Sequence, residues 1–180
     1  MAKRIVWREA VALAGLGAMA LGAIYLAGRP RPSFSSSRAV VTEHTAPAWR
    51  LHDLDGKLFD SAQLRGHVVL LDFWATWCGP CRAQIPHLIA LQRAYGDQGF
   101  TVVGVALDRN GPEAVRRFVR QVGINYPILL ATPPMLAAFG GVAAIPTAVL
   151  IDRHNRIVMQ HVGYADKALL EQRVRPLLKP

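Results

Sequence analysis

The sequence predicts a single α/β domain built on a mixed central β-sheet flanked by helices, with an N-terminal β-hairpin extension. Three observations carry that expectation. Residues 67–75 (HVVLLDFWA) and 100–107 (FTVVGVAL) are near-continuous apolar runs rich in β-branched residues, as strands buried on both faces require. Each is followed by a stretch with helical spacing of its apolar residues. Residues 147–152 (TAVLID) and 156–163 (RIVMQHVG) then flank His154-Asn155, a turn pair between two β-patterned segments. The order β-α-β-α-β followed by β-β-α mixes parallel crossovers with a hairpin, so the sheet is mixed.

The first 28 residues stand apart. Lys3, Arg4 and Arg8 precede an uncharged run over residues 10–28, AVALAGLGAMALGAIYLAG. Its length suits a membrane-spanning helix, and it has no polar face to place against water. Small residues at a cleavage site are poorly met after Gly28, where Leu26 and the following Arg-Pro intrude, so a retained signal anchor is favoured over a cleaved signal peptide. Arg29, Arg31 and Arg38 match the basic residues ahead of the run, which nearly balances the positive-inside count. Export of the following domain is the expectation for an N-terminal apolar segment. The domain plan is thus an anchor at 1–28, a Ser- and Pro-rich flexible spacer at 29–45 and a folded domain at 46–180.

Within that domain, residues 49–54 read as a strand leading into the turn dipeptide Asp55-Gly56. Ser61 is placed to cap a brief turn ending at Leu64. Residues 82–95 have helical spacing through Ile85, Leu88, Ile89 and Gln92, with Pro86 as a kink and Gly96 and Gly99 as the stop. The segment Asn110-Gly111-Pro112-Glu113 opens a helix, with Pro in the first turn and Glu favourable to the dipole. Val115, Phe118, Val119 and Val122 form its apolar stripe, and Gly123 ends it. A short strand at 126–130, a short helix at 134–139 and a last helix at 166–178 complete the order.

Both cysteines of the 180-residue chain lie in Trp77-Cys78-Gly79-Pro80-Cys81. A bond between them closes a very small ring, which constrains the unfolded chain little. A chain with 52% apolar residues can bury a core without such a staple. A zinc site needs three or four ligands; the pair supplies two, no second CxxC exists, and the six histidines show no HxxxH-type spacing. The net charge of +9 splits into +5 over residues 1–38 and +4 over the rest. With no aromatic ladder beside the Arg116, Arg117, Arg120 cluster, nucleic-acid binding is not expected. The cysteines therefore read as chemistry. Strand, CxxC, helix puts Cys78 at a helix N-terminus, where unpaired N–H groups and the dipole stabilise a thiolate. Cys81 lies one turn further in, placed to attack a mixed disulfide formed at Cys78. Pro80 sets the turn without adding a donor, and Trp74 and Trp77 offer an apolar rim to a partner chain. Asp72 is a carboxylate inside an apolar strand, which calls for a partner or a raised pKa.

The segment VVLLDFWATWCGPCRAQIPHL (residues 68–88), with Ile145-Pro146-Thr147 near the end, resembles the thioredoxin superfamily. Within it the chain is most similar to membrane-anchored thiol–disulfide interchange proteins of the TlpA/ResA/CcmG type. Further support is the upstream WRLHDLDGKLFDSAQLRGHVVLL hairpin segment, and the resemblance covers about residues 46–178. It implies Cys78 as the attacking thiolate and Cys81 as the resolving thiol, with Trp77, Gly79 and Pro80 shaping the site. It implies Pro146 as a cis-proline facing the CxxC, Ile145 as a source of backbone bonds to a bound partner, and Asp72 as the buried carboxylate that handles the proton of Cys81. Many such relatives carry Glu where this chain has Gln84 and Asn where it has Asp72, so titration is expected to rest on Asp72.

The implied function is thiol–disulfide exchange, as a reductant, between the Cys78–Cys81 dithiol and cysteines of envelope proteins, with cytochrome c maturation as one setting. No metal or cofactor besides that disulfide is expected. A membrane electron donor is expected to return it to the dithiol, because the envelope is oxidising. The implied location is the bacterial cytoplasmic membrane, single-pass, with the catalytic domain in the periplasm or at the outer face. An alternative is a thioredoxin-fold copper-binding module using both cysteines and His161; against it, such modules usually space their cysteines CxxxC. A peroxidase of the peroxiredoxin type lacks its Pro-xxx-Thr-xx-Cys loop here.

Overall fold

The computed structural model describes residues 44–109 and 111–179; the expected anchor and most of the expected spacer lie outside them. The described strands form a six-stranded sheet ordered β1-β8-β7-β4-β5-β6 and a separate two-stranded ribbon, β2-β3. β1 is His44–Thr45, β4 Val68–Trp74, β5 Phe100–Ala106, β6 Ile128–Leu130, β7 Thr147–Ile151 and β8 Arg156–Val162, while the ribbon is β2, Arg50–His52, and β3, Leu58–Asp60. β4 pairs parallel with β5 and antiparallel with β7. The parallel half follows from the helical crossovers, and β7 and β8 are joined antiparallel through the hairpin at Asn155, whose left-handed backbone (φ 61°) turns the chain there. The thioredoxin-like α/β architecture with a mixed sheet and an N-terminal hairpin is therefore the observed one.

Every residue of β4 is buried, which is why its sequence lacks alternation. The helices are α1, Gly79–Tyr95; α2, Pro112–Val122; α3, Pro133–Ala138; and α4, Lys167–Leu178. One face of the sheet sends Val68, Leu70 and Trp74 under α1, α2 and α4, packing against Ile85, Leu88, Val115, Leu170 and Val174. The other sends Val69, Leu71 and Phe73 against Trp49 and Leu51 of the ribbon segment and Met135 and Phe139 around α3. Burial of such side chains is worth roughly 1.5–3 kcal/mol each.

Several local expectations need correction. The turn over Ser61–Leu64 is capped by Asp60, whose carboxylate accepts from the Ala62 N–H at 2.8 Å. Ser61 is instead turned inward, its hydroxyl accepting from the Trp49 N–H at 3.1 Å. Carboxylate and hydroxyl were both able to cap, and the ribbon's need for a Trp49 partner decides between them. Helix α1 takes in Gly79 to Cys81 ahead of the periodic stretch that begins at residue 82, with Cys78 at the helix N-terminus, as expected, and serving as its N-cap. Pro86 lies inside α1 without ending it. Helix α2 ends as expected on Gly123, left-handed at φ 74°. The β7–β8 turn is held by Asp152, which accepts from the N–H groups of His154 and Arg156, both at 2.9 Å. Its neighbour Arg153 reaches back to the carbonyls of Gly66 at 2.9 Å and Gln98 at 2.8 Å, tying two loops at the base of β4.

Candidate active site

The C-terminal end of β4 delivers the cysteines. Trp74 closes the strand, Ala75 to Trp77 cross over, and Cys78 takes the extended N-cap conformation (φ −82°, ψ 108°) from which α1 departs. The crossing is clamped by Asp108 beyond β5. Its carboxylate accepts from the Thr76 N–H at 3.0 Å and from the Thr76 hydroxyl at 2.5 Å. Asp108 was not singled out from sequence; an acidic residue just past a buried strand that ends level with the CxxC was the available signal.

Cys78 and Cys81 are joined as a disulfide with Cα atoms 5.3 Å apart. The Cys78 sulfur accepts the N–H of Cys81 at 3.2 Å, one of the donors that the first turn of a helix leaves unpaired. Once the bond is reduced, the same N–H and the helix dipole favour a thiolate on Cys78. Cys78 keeps 6% of its surface while Cys81 keeps none, so an incoming partner meets Cys78 first. Trp77, 69% exposed, stands beside it. Pro80 occupies the first turn of α1, where a missing N–H costs nothing. A side chain on Gly79 would meet none of the described residues.

The Ile145–Pro146 peptide bond is cis. The loop before it is held by the Thr147 hydroxyl, which donates to the Ala144 carbonyl at 2.7 Å, and the loop after it by the Gly163 N–H, which donates to the Pro146 carbonyl at 2.8 Å. Trp77, Leu107, Arg109, Val142 and Ile145 line a groove of about 540 Å³. Its lining side chains are apolar apart from the Arg109 guanidinium, and it includes Trp77, the residue that precedes Cys78 in the chain. A larger hollow of about 710 Å³ lies at the other end of β4, between the ribbon and the β7–β8 turn, and contains none of the cysteine-site residues.

Asp72 is fully buried on the face of β4 that carries α1. Its neighbours across the sheet are Gly104 on β5 and Ala148 on β7, so small residues flank it on both sides. Burial pushes its carboxyl up to about 7, and a hydrogen bond from Gln84 offsets only part of that. Gln84 Nε2 donates to Asp72 Oδ1 at 2.9 Å, and Gln84 Oε1 accepts the Ala165 N–H at 2.8 Å. Oδ2 of Asp72 and Nε1 of Trp74 are buried without a hydrogen-bond partner among the described residues. Tyr126 is pushed upward by burial and by the Asp72 charge. The structure thus brings Asp72 and the cysteine helix together through Gln84, a residue whose sequence reading extended only to its inability to titrate. His161 is buried two strands from Asp72, its row running through Ala148, and gives its Nε2–H to the Tyr164 carbonyl at 3.2 Å. Among the described residues no three His, Cys, Asp or Glu side chains gather as a metal-ligand set.

The comparisons with known proteins agree with this geometry. The redoxin family pattern matches residues 30–174. The thiol-disulfide oxidoreductase ResA of Bacillus thuringiensis (strain Al Hakam) is 33% identical over 126 residues, which span 70% of this chain and 72% of that one. The ResA of Bacillus subtilis (strain 168) is 28% identical over 147 residues, spanning 82% and 81% of the two chains. The crystal structure of a thiol:disulfide interchange protein of the thioredoxin family from Chlorobium tepidum TLS superposes with a TM-score of 0.71 at 34% identity, covering 78% of this chain and 99% of that one. A disulfide at the N-cap of the helix that follows a buried central strand, on a backbone shared with these proteins, leaves one conclusion: the chain belongs to the redoxin family, within the thioredoxin superfamily, and is a thiol–disulfide oxidoreductase.

Proposed function

We propose that this oxidoreductase is a membrane-tethered reductant of a bacterial envelope. The observation that carries the chemistry is Cys78 at the N-cap of α1, its sulfur facing the Cys81 N–H. In the reduced protein the Cys78 thiolate attacks one sulfur of a partner's disulfide. A Cys78–partner bond forms and the partner's other sulfur leaves as a thiolate. Asp72 takes the proton of Cys81, whose thiolate then attacks Cys78. The Cys78–Cys81 bond forms, the bond to the partner breaks, and the partner has gained two electrons that the dithiol has lost. The groove beside Trp77 and Ile145 receives the partner's chain, with the Ile145 backbone available for hydrogen bonds.

The rest of the reading is supported by sequence. The apolar run at 10–28 acts as the anchor, the Ser- and Pro-rich residues after it as the spacer, and the fold that begins with β1 at His44 as the redox domain. Substrates are envelope proteins with paired cysteines, such as apocytochromes c awaiting haem or a copper chaperone, and a membrane electron donor restores the dithiol.

Trapping tests this. Cys81→Ser in the full chain removes the resolving sulfur and is expected to accumulate mixed disulfides through Cys78, identifiable by mass spectrometry of a membrane extract. Adducts that form through Cys81 in Cys78→Ser and not through Cys78 would overturn the assignment of roles.

A further inference from the structure

The hydrogen bonds around Asp72 have a direction that the chemistry of their donors fixes. The Ala165 backbone N–H can only donate, so the Gln84 atom facing it at 2.8 Å is the carbonyl oxygen. That settles which end of the carboxamide is which, and the NH2 end must point at Asp72 Oδ1, 2.9 Å away. An NH2 group can only donate, so Oδ1 is the acceptor in this bond, whether Asp72 is charged or neutral. The carbonyl oxygen of a neutral carboxyl is the better acceptor, so the amide bond to Oδ1 favours a proton on Oδ2, which has no hydrogen-bond partner among the described residues. Cys81 and Gln84 are three residues apart on α1 and both fully buried, so they share the helix face turned toward β4.

We propose that Gln84 is a positioning residue for thiol–disulfide exchange: clamped by the Ala165 N–H, it holds Oδ1 as a permanent acceptor and reserves Oδ2 as the atom that takes the proton of Cys81 and gives it back. The inference rests on the reading of Asp72 as the proton acceptor and adds how that acceptor is aimed. The proton balance is closed. Cys81–SH and the Asp72 carboxylate become a Cys81 thiolate and an Oδ2–H carboxyl, and the thiolate then displaces the partner from Cys78.

The amide does a second thing. Among the described residues it is the sole hydrogen-bond donor to a carboxylate that burial disfavours, and it is neutral, so it steadies the charged form without fixing it. Among the described residues, burial and the Gln84 hydrogen bond are the influences that act on Asp72, and no Lys or Arg is one of them. Gly104 and Ala148 flank it, Tyr126 lies ahead of β6 and His161 on β8. Helix α1 adds the two cysteines, α2 sends Phe118 onto Trp74, and α4 sends Leu170 and Val174 inward.

The test is the pH dependence of insulin-disulfide reduction by the full chain, in wild type, Asp72→Asn, Gln84→Met and Gln84→Glu. Gln84→Met removes the donor but keeps the bulk, and is expected to move the acid limb upward by about one to two pH units, with at least a roughly tenfold lower rate below it. Gln84→Glu sets a second carboxyl against Oδ1, so the limb should split into two steps as the pair shares a proton. An acid limb unmoved in Gln84→Met but abolished in Asp72→Asn would overturn the positioning role and leave Asp72 as the acceptor. A limb that survives in Asp72→Asn would overturn the acceptor reading itself, and this inference with it. Should Gln84→Met fail to fold, the nearly isosteric Gln84→Glu decides: one step at the wild-type position refutes the proposal.

Discussion

Two buried aspartates in this domain are driven in opposite directions, and the difference is in their donors. Burial pushes Asp152 upward, but backbone N–H groups of Arg156 and His154 and the Arg156 guanidinium outweigh it, and its carboxyl ends below the usual range. Its contribution to stability is present above the unfolded-state value and is lost as pH falls through the lower folded one. Asp72 has a single amide donor and ends at about 7 against an ordinary 3.8. Between those values the folded chain holds a proton that the unfolded chain has released, so stability falls as pH rises across that window, and the full cost is felt above it. Asp72→Asn keeps an acceptor for Gln84 and removes the ionisation. It is expected to be more stable than the parent at pH 8, by up to about 4 kcal/mol, with the gap closing toward pH 4. Urea unfolding at both ends of that range checks this; a gap of equal size at both would mean the carboxyl titrates normally. Keeping so costly a group is intelligible if the proton on Oδ2 is used.

At the scale of elements, the row His161, Ala148, Asp72, Gly104, Ile128 crosses five strands of the sheet. A side chain on Gly104 would place its Cβ 2.5 Å from Ile128 Cδ1, 3.0 Å from Trp74 Nε1 and 3.3 Å from Tyr126 Cε2. Glycine is therefore required by close approach and not by backbone conformation. Gly104→Ala is expected to cost about 1–3 kcal/mol through overpacking, read as a lower urea midpoint with an unchanged slope. A stability equal to the parent's would mean that Ile128 and Trp74 move aside freely. The strands bearing this row were legible because buried central strands are continuous apolar runs, and α2 was legible because Pro112 opens it and Gly123 closes it. The N-terminal end of α1 was legible from the order strand, CxxC, helix, but Cys78 as the capping residue itself was not, since capping preferences favour Ser, Thr, Asp and Asn. Nor was the Asp72–Gln84–Ala165 chain. Its members are 12 and 81 residues apart, and a glutamine in a helix carries no mark of which distant donor or acceptor it will meet. The CxxC chemistry was legible because it is local; the group that aims the proton was not, because it is tertiary.

At the scale of the molecule, the question is where the folded unit begins. His44 and Thr45, at the end of the stretch expected to be spacer, pair with Ile157 and Arg156 as an edge strand. Ala46 then exchanges bonds with Asn155, its N–H donating to the Asn155 carbonyl at 2.8 Å and its carbonyl accepting from Asn155 Nδ2 at 3.0 Å. Trp49 is buried and stacks on Phe59 with ring centroids 5.9 Å apart. The residues between 44 and 49 thus join the hairpin ribbon to the main sheet and cover the face made by Val69 and Leu71. A chain starting at Val40 keeps all of these contacts and is expected to match the full chain in the midpoint of urea unfolding. A chain starting at Arg50 loses the edge strand, Ala46 and Trp49, and is expected to be less stable by about 3–5 kcal/mol, the range for deleting a buried tryptophan side chain. Activity should follow stability and not the cut, because the cysteine site sits at the other end of β4. In cells, the full chain is expected in the membrane fraction and the Val40 form in the soluble one, since only the former carries the apolar run at 10–28. Co-fractionation of both forms with membranes would remove the anchor from the proposal, and a Val40 form that unfolds earlier than the full chain would move the boundary of the domain toward the N-terminus.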